Sequence, residues 1–163
     1  MAFNTIGKTM PVGLPGQVAR ESYSVIETHA NENVTAYGVP VALSTGGAVR
    51  MLTSTATAAS IYGWSVRPDA VKLGGNNPAF GDSGVPDPKQ PIDIMIKGYI
   101  NVKVYGSTAP VFGGAVYVRT AAGSSGEPVG ATEAASGTGK LAAANTIFMG
   151  GKDDYDLAQI RVL

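Results

Sequence analysis

Cysteine is absent from this 163-residue chain, so neither a disulfide nor a thiolate metal site can form, and cysteine usage says nothing about redox compartment. Histidine occurs once, which excludes any site that needs two imidazoles. Charge is scarce as well: charged residues make up 15% of the chain where about a quarter is usual, and twelve basic side chains cancel twelve acidic ones. No nucleic acid is expected as a partner, because displacing counterions from phosphates takes a basic surface. No membrane partner is expected either. No stretch approaches the ~20 apolar residues of a span, and the opening MAFNTIGKTMPVGLPG lacks the apolar core of a signal peptide. These absences point to a soluble protein that stays in the cytoplasm until it meets its partner.

Glycine and proline are what the chain has in excess. Its 22 Gly and 10 Pro are about a fifth of the residues, against an average near ~12%, and they leave little room for long helices. The length fits one domain able to bury a core without staples. Residues 1–16 carry Gly7, Pro11, Gly13, Pro15 and Gly16 among the apolar Phe3, Ile6, Met10, Val12 and Leu14, without periodicity. Polar linkers seldom hold so many apolar side chains. The segment therefore reads as an extended arm that lies on a partner, with Phe3, Ile6, Met10, Pro11, Val12, Leu14 and Pro15 as its contact residues. Residues 17–163 form the single domain.

Strand formers dominate the longest stretch free of Gly and Pro, Gln17 to Tyr37, which reads as two strands around a polar turn at His29 to Asn33, with a short helical turn over Val18 to Glu21 as the other possibility at its start. The pattern aromatic, Gly, two residues, Val recurs as Tyr37 to Val41, Tyr62 to Val66 and Phe112 to Val116, at offsets of 25 and 50 residues. Each copy suits a bent entry into a strand, with the Val inward. The clearest periodic signal runs from Pro91 to Gly106: Ile92, Ile94, Ile96, Ile100, Val102 and Val104 share one parity, and Asp93, Lys97, Asn101 and Lys103 the other. That is a half-buried strand, with Gly98 placed for a bend. The spacing predicts a return strand over Val111 to Thr120 that pairs with it as a hairpin, with Val116 and Val118 inward. Two long loops, Pro68 to Pro91 and Thr120 to Lys140, are candidates for surface contacts. A last strand, with Ala158, Ile160 and Val162 inward, closes the sheet. The fold class is all-β: an antiparallel β-barrel or a jelly-roll-like sandwich with an extended N-terminal arm.

Catalytic constellations are weak. Gly81-Asp82-Ser83-Gly84 matches the residues around the nucleophile of chymotrypsin-like proteases, but a triad needs a base and an orienting acid. His29 stands too few residues from Ser83 for the strands such enzymes place between them, and it sits among Glu27, Asn31 and Glu32 as if on a solvated turn. Gly137-Thr138-Gly139-Lys140 fails as a phosphate loop because Ala134 and Leu141 stand where Gly and Ser or Thr are required. Asp153, Asp154 and Asp156 lack the further ligands and the bidentate Glu of a calcium loop and read as a solvated turn. No cofactor is expected, and no enzymatic activity.

The arm ending Leu14-Pro15-Gly16-Gln17-Val18-Ala19, then Tyr37-Gly38-Val39-Pro40-Val41, the Gly63 to Val66 strand entry, Gly113 to Arg119 and the terminal Ile160-Arg161-Val162-Leu163 together resemble the capsid cement, or decoration, proteins of tailed double-stranded DNA bacteriophages. The resemblance implies a structural virion protein on the capsid exterior, made in the host cytoplasm, that bridges neighbouring major capsid protein subunits and stabilises the head, often as a homotrimer. Two other readings stay open: another virion component of tail or baseplate, and a small serine hydrolase built on Ser83 and His29.

Overall fold

The segment with the clearest alternation becomes the spine of the molecule. The computed structural model describes residues 12–68, 85–88, 90–123 and 126–163. In chain order its strands are β1 (Val18–Ala30), β2 (Pro40–Leu43), β3 (Val49–Met51), β4 (Gly63–Ser65), β5 (Pro91–Tyr105), β6 (Ala115–Arg119), β7 (Thr132–Glu133), β8 (Lys140–Phe148) and β9 (Leu157–Val162), and a 3₁₀ turn covers Ala58–Ser60. The expected all-β fold is what forms. Neighbouring strands run β3-β2-β4-β5-β7-β6-β8-β9, and β9 pairs back onto β5, so the last five close into a barrel. Ladders are antiparallel except β5 with β7, which is parallel.

β5 belongs to two arrangements along its length. Its first half lies between β1 and β4, whereas Gly98 to Lys103 pair with Val162 to Leu157 of β9. The bend between the halves falls at Gly98, whose φ of +136° is closed to ordinary L residues. A Cβ there would stand 2.7 Å from Ser24 Oγ and 3.0 Å from Ser24 Cα, so the site also needs the bare backbone. Ile92, Ile94, Ile100, Val102 and Val104 are buried as the alternation requires. Two residues of the opposite parity, Met95 and Asn101, are buried too, because β5 is covered on both faces where they sit, and Ile96 is only half-buried.

The main core gathers Trp64, Met95, Ile100, Phe148 and Ile160, and a second, smaller one gathers Val34, Val41, Val49, Ile92 and Ile94 on the other face of the β2–β4 sheet. Truncating one of the fully buried isoleucines to Ala costs about 2–5 kcal/mol. The three aromatic-Gly copies all lead into strands, and Val41, Val66 and Val116 are buried at their ends.

Three expectations are corrected. The stretch after Gln17 is one strand through Ala30, not two strands around a turn at His29, and Val18 and Arg20 are paired to β5 and not helical. The chain turns later. Asn31 Oδ1 accepts a hydrogen bond from Val34 N–H at 2.7 Å, and this local bond holds Val34 into the second core in an irregular segment. The predicted hairpin between β5 and the Val111 to Thr120 strand does not form either. β7, from within the predicted Thr120 to Lys140 loop, inserts between them, parallel to β5 and antiparallel to β6. The predicted loop over Pro68 to Pro91 lies largely outside the described residues.

Candidate binding surface

Both strand order and side-chain chemistry distinguish the two ends of the barrel. Buried charge packs the wall that runs from where β6 finishes and β8 begins to Glu133 of β7, which pairs with Tyr105 of β5. Arg119 Nε and Lys140 Nζ both donate to the Glu133 carboxylate, and Glu127 Oε2 stands 3.8 Å from Arg119. The Glu133 side chain is 5% exposed. A buried carboxylate is tolerable only when its charge is met in this way.

At the other end β5 and β8 finish and β6 and β9 begin, and here apolar side chains face outward. Val111, Phe112 and Tyr155 are all exposed, as are Val12 and Leu14, and Leu14 shares a groove with Tyr155. A bond from Lys152 Nζ to Gly106 O joins the two loops of this end. The arm base is built from backbone bonds onto buried Asn101 of β5. Gly16 N–H donates to Asn101 O at 2.8 Å, Asn101 N–H donates to Gln17 O at 3.0 Å, and the Asn101 side-chain amide donates to Val12 O at 2.9 Å. Leu14 N–H is taken by Gln17 Oε1 at 3.1 Å.

Asp153 completes the attachment. Its Oδ2 accepts Val12 N–H at 2.9 Å, and its Oδ1 accepts Tyr155 N–H at 2.9 Å and Leu157 N–H at 2.8 Å. Burial pushes this carboxyl up, but the N–H groups of Val12, Leu157 and Tyr155 together outweigh it and hold it below the usual aspartate value. Asp153 is thus a fastener between arm and barrel, where the sequence suggested a solvated turn.

Of the predicted contact residues, Val12 and Leu14 are partly exposed at this end, and Pro15 lines a cavity of about 200 Å³ with Tyr37, Arg67 and Tyr105. Phe3, Ile6, Met10 and Pro11 lie outside the described residues, as does Ser83. Sequence reading missed Phe112 and Tyr155. Phe112 had been visible only as the first residue of an aromatic-Gly strand entry, a pattern that does not say whether the ring points in or out.

His29 sits near the end of β1 and not on a turn. Its Nδ1 lies 3.0 Å from Gly47 O and its Nε2 3.3 Å from Glu27 Oε2, with the Tyr62 ring edge-on at 5.3 Å. The Tyr62 hydroxyl donates to the same Glu27 carboxylate, and this bond, followed by His29, holds Glu27 below the usual glutamate range. The group ties β1 to the β2–β3 turn and to the segment before β4. Among the described residues no cluster of acids and imidazole could hold a metal, and no helix is long and apolar enough to cross a membrane.

A small all-β domain whose outward features are a fastened segment at Val12 and an exposed apolar end has the make-up of a structural protein. The family described as "Structural cement protein (E217 gp24/Pam3 gp6)" matches residues 3–163, and the chain belongs to it. It is a structural virion protein that stabilises a phage capsid. A chain in the structure titled "The capsid of Myoviridae Phage XM1" has the same fold, with a TM-score of 0.70, 22% sequence identity and coverage of 99% of this chain and 97% of that one. No curated protein matches it.

Proposed function

We propose that the protein sits on the outer surface of the assembled capsid and bridges neighbouring major capsid protein subunits, as a homo-oligomer, with a trimer favoured. It works without turnover or cofactor and contacts neither nucleic acid nor membrane. Residues 1–16 are the bridging arm and residues 17–163 the body. The observation that carries this reading is the attachment of Val12, whose N–H and C=O are both bonded to the body at the edge of the exposed apolar end. The eleven residues before it start from a fixed point and, if extended, span at most roughly 36–40 Å. Phe3, Ile6 and Met10 supply apolar area worth about 25 cal/mol per Å² once covered. The arm adds affinity chiefly by tethering.

Deleting residues 2–11 tests the arm. The shortened protein is expected to keep its melting behaviour but to decorate capsids far more weakly, read as occupancy by electron microscopy. Equal occupancy overturns the arm's role. With charges so few and balanced, occupancy should fall only slightly between low and physiological salt.

A further inference from the structure

The Val111 to Gly114 turn is rigid. Gly114 N–H donates to Val111 O at 2.9 Å, Gly113 N–H donates to Phe148 O at 2.8 Å, and Phe148 N–H donates back to Gly114 O at 2.9 Å. Gly113, at φ +76°, takes the left-handed third position, and a Cβ on Gly114 would stand 2.9 Å from Val111 O. Two successive glycines thus fix the turn on β8. The second position makes no demand for an aromatic, yet it holds Phe112, 73% exposed beside Val111 at 66%. The fold gains nothing from this ring.

A complementary feature lies on another flank of the same end. A groove of about 400 Å³ runs between the arm base and the β8–β9 loop, lined by Leu14, Pro15, Lys103, Tyr155 and Leu157. Its lining is apolar apart from Lys103, whose ammonium already lies 5.4 Å from the Tyr105 ring. We propose that this groove receives Phe112 of a second copy of the chain. The incoming ring is buried against Leu14 and Tyr155, and its negative face meets the Lys103 cation. The turn cannot fill the groove of its own molecule, because its bonds hold it on β8. Two copies of zero net charge approach without long-range repulsion. Repeated head to tail, turn of one copy into groove of the next, the contact is heterologous and builds closed rings or open chains.

This inference rests on the homo-oligomer reading and sharpens it. The test is the mass of the isolated protein by light scattering, for the wild type, Phe112→Ala, Tyr155→Glu and an equimolar mixture of the two variants. Wild type is expected as an oligomer and each variant alone as a weaker assembly, with a dissociation constant raised about tenfold or more. The mixture is expected to recover a single-contact heterodimer, because one variant keeps the groove and the other the turn. Phe112→Ser, compared with wild type by circular dichroism, guards against misfolding as the cause. A monomeric wild type overturns the oligomer reading and this inference together. A wild-type oligomer unchanged by Phe112→Ala overturns the inference alone, and so does a variant that stays assembled while its capsid occupancy falls, which would assign Phe112 to the capsid protein.

Discussion

The two ends of the barrel solve opposite problems with the same scarce material. At the end where β6 finishes, Glu133 is 3% exposed and is met by two cations, so charge is spent inside the molecule to hold a long Gly-, Ala- and Ser-rich connection in place. At the other end, Phe112, Val111 and Tyr155 stand in solvent, so apolar area is left outside the molecule. In the first, Glu133 is met by Arg119 and Lys140 within the chain itself. The second leaves its large apolar side chains uncovered. On the reading proposed above, a capsid-stabilising protein of low charge density concentrates ion pairing where it fixes its own fold and keeps its apolar surface for other subunits.

Breaking the charged end should have the largest effect. Glu133→Ala leaves Lys140 largely buried without its counter-charge and Arg119 with only Glu127 at 3.8 Å, and a loss of about 3–5 kcal/mol in unfolding free energy is expected from urea titration. Replacing Arg119, Glu127, Glu133 and Lys140 together by apolar residues of similar volume should be far less costly, because the penalty lies in the orphaned charges. If Glu133→Ala melts like wild type, the ion cluster does not hold this end.

At the apolar end the expected effect is smaller and local. Gly113→Ala forces a left-handed backbone on a residue with a Cβ, at a cost of about 1–2 kcal/mol. The substitution should also displace Phe112 and so weaken self-association more than it lowers the melting temperature. A full loss of stability with unchanged association would show that the turn serves the fold alone.

The contrast between the ends also separates what the sequence reveals from what it hides. β5 was legible because one face of a long strand is buried, and a period of two then writes itself into Ile92, Ile94, Ile100, Val102 and Val104. β9 was legible for the same reason. β7 was not: a strand of two residues, Thr132 and Glu133, has no period, and it is fixed by cations at positions 119 and 140. The missed β7 is also why the hairpin failed, since adjacent strands in sequence pair only when nothing is slotted between them. Composition alone points to the contact residues of residues 1–16. The arm's fastening was hidden, because it uses backbone groups of Val12 and Gly16 that every residue carries, together with Asp153 some 141 positions from Val12.

Asp153 gives the smallest and most local expectation. Its carboxyl is held below the usual aspartate value of about 3.9 in the folded protein, so the stabilisation it adds is present at pH above that value and is lost as pH falls through the lowered folded value. Acid should therefore loosen the attachment of Val12 to the barrel. Hydrogen exchange of the Val12 and Leu157 amides is expected to speed up in acid relative to β5 amides, after correction for intrinsic rates. Asp153→Asn should show the faster exchange already at neutral pH and little further change on acidification, because the amide cannot carry the charge that three N–H groups were meeting. Amide protection at Val12 that is unaltered in Asp153→Asn would mean that Asn101 alone holds the arm.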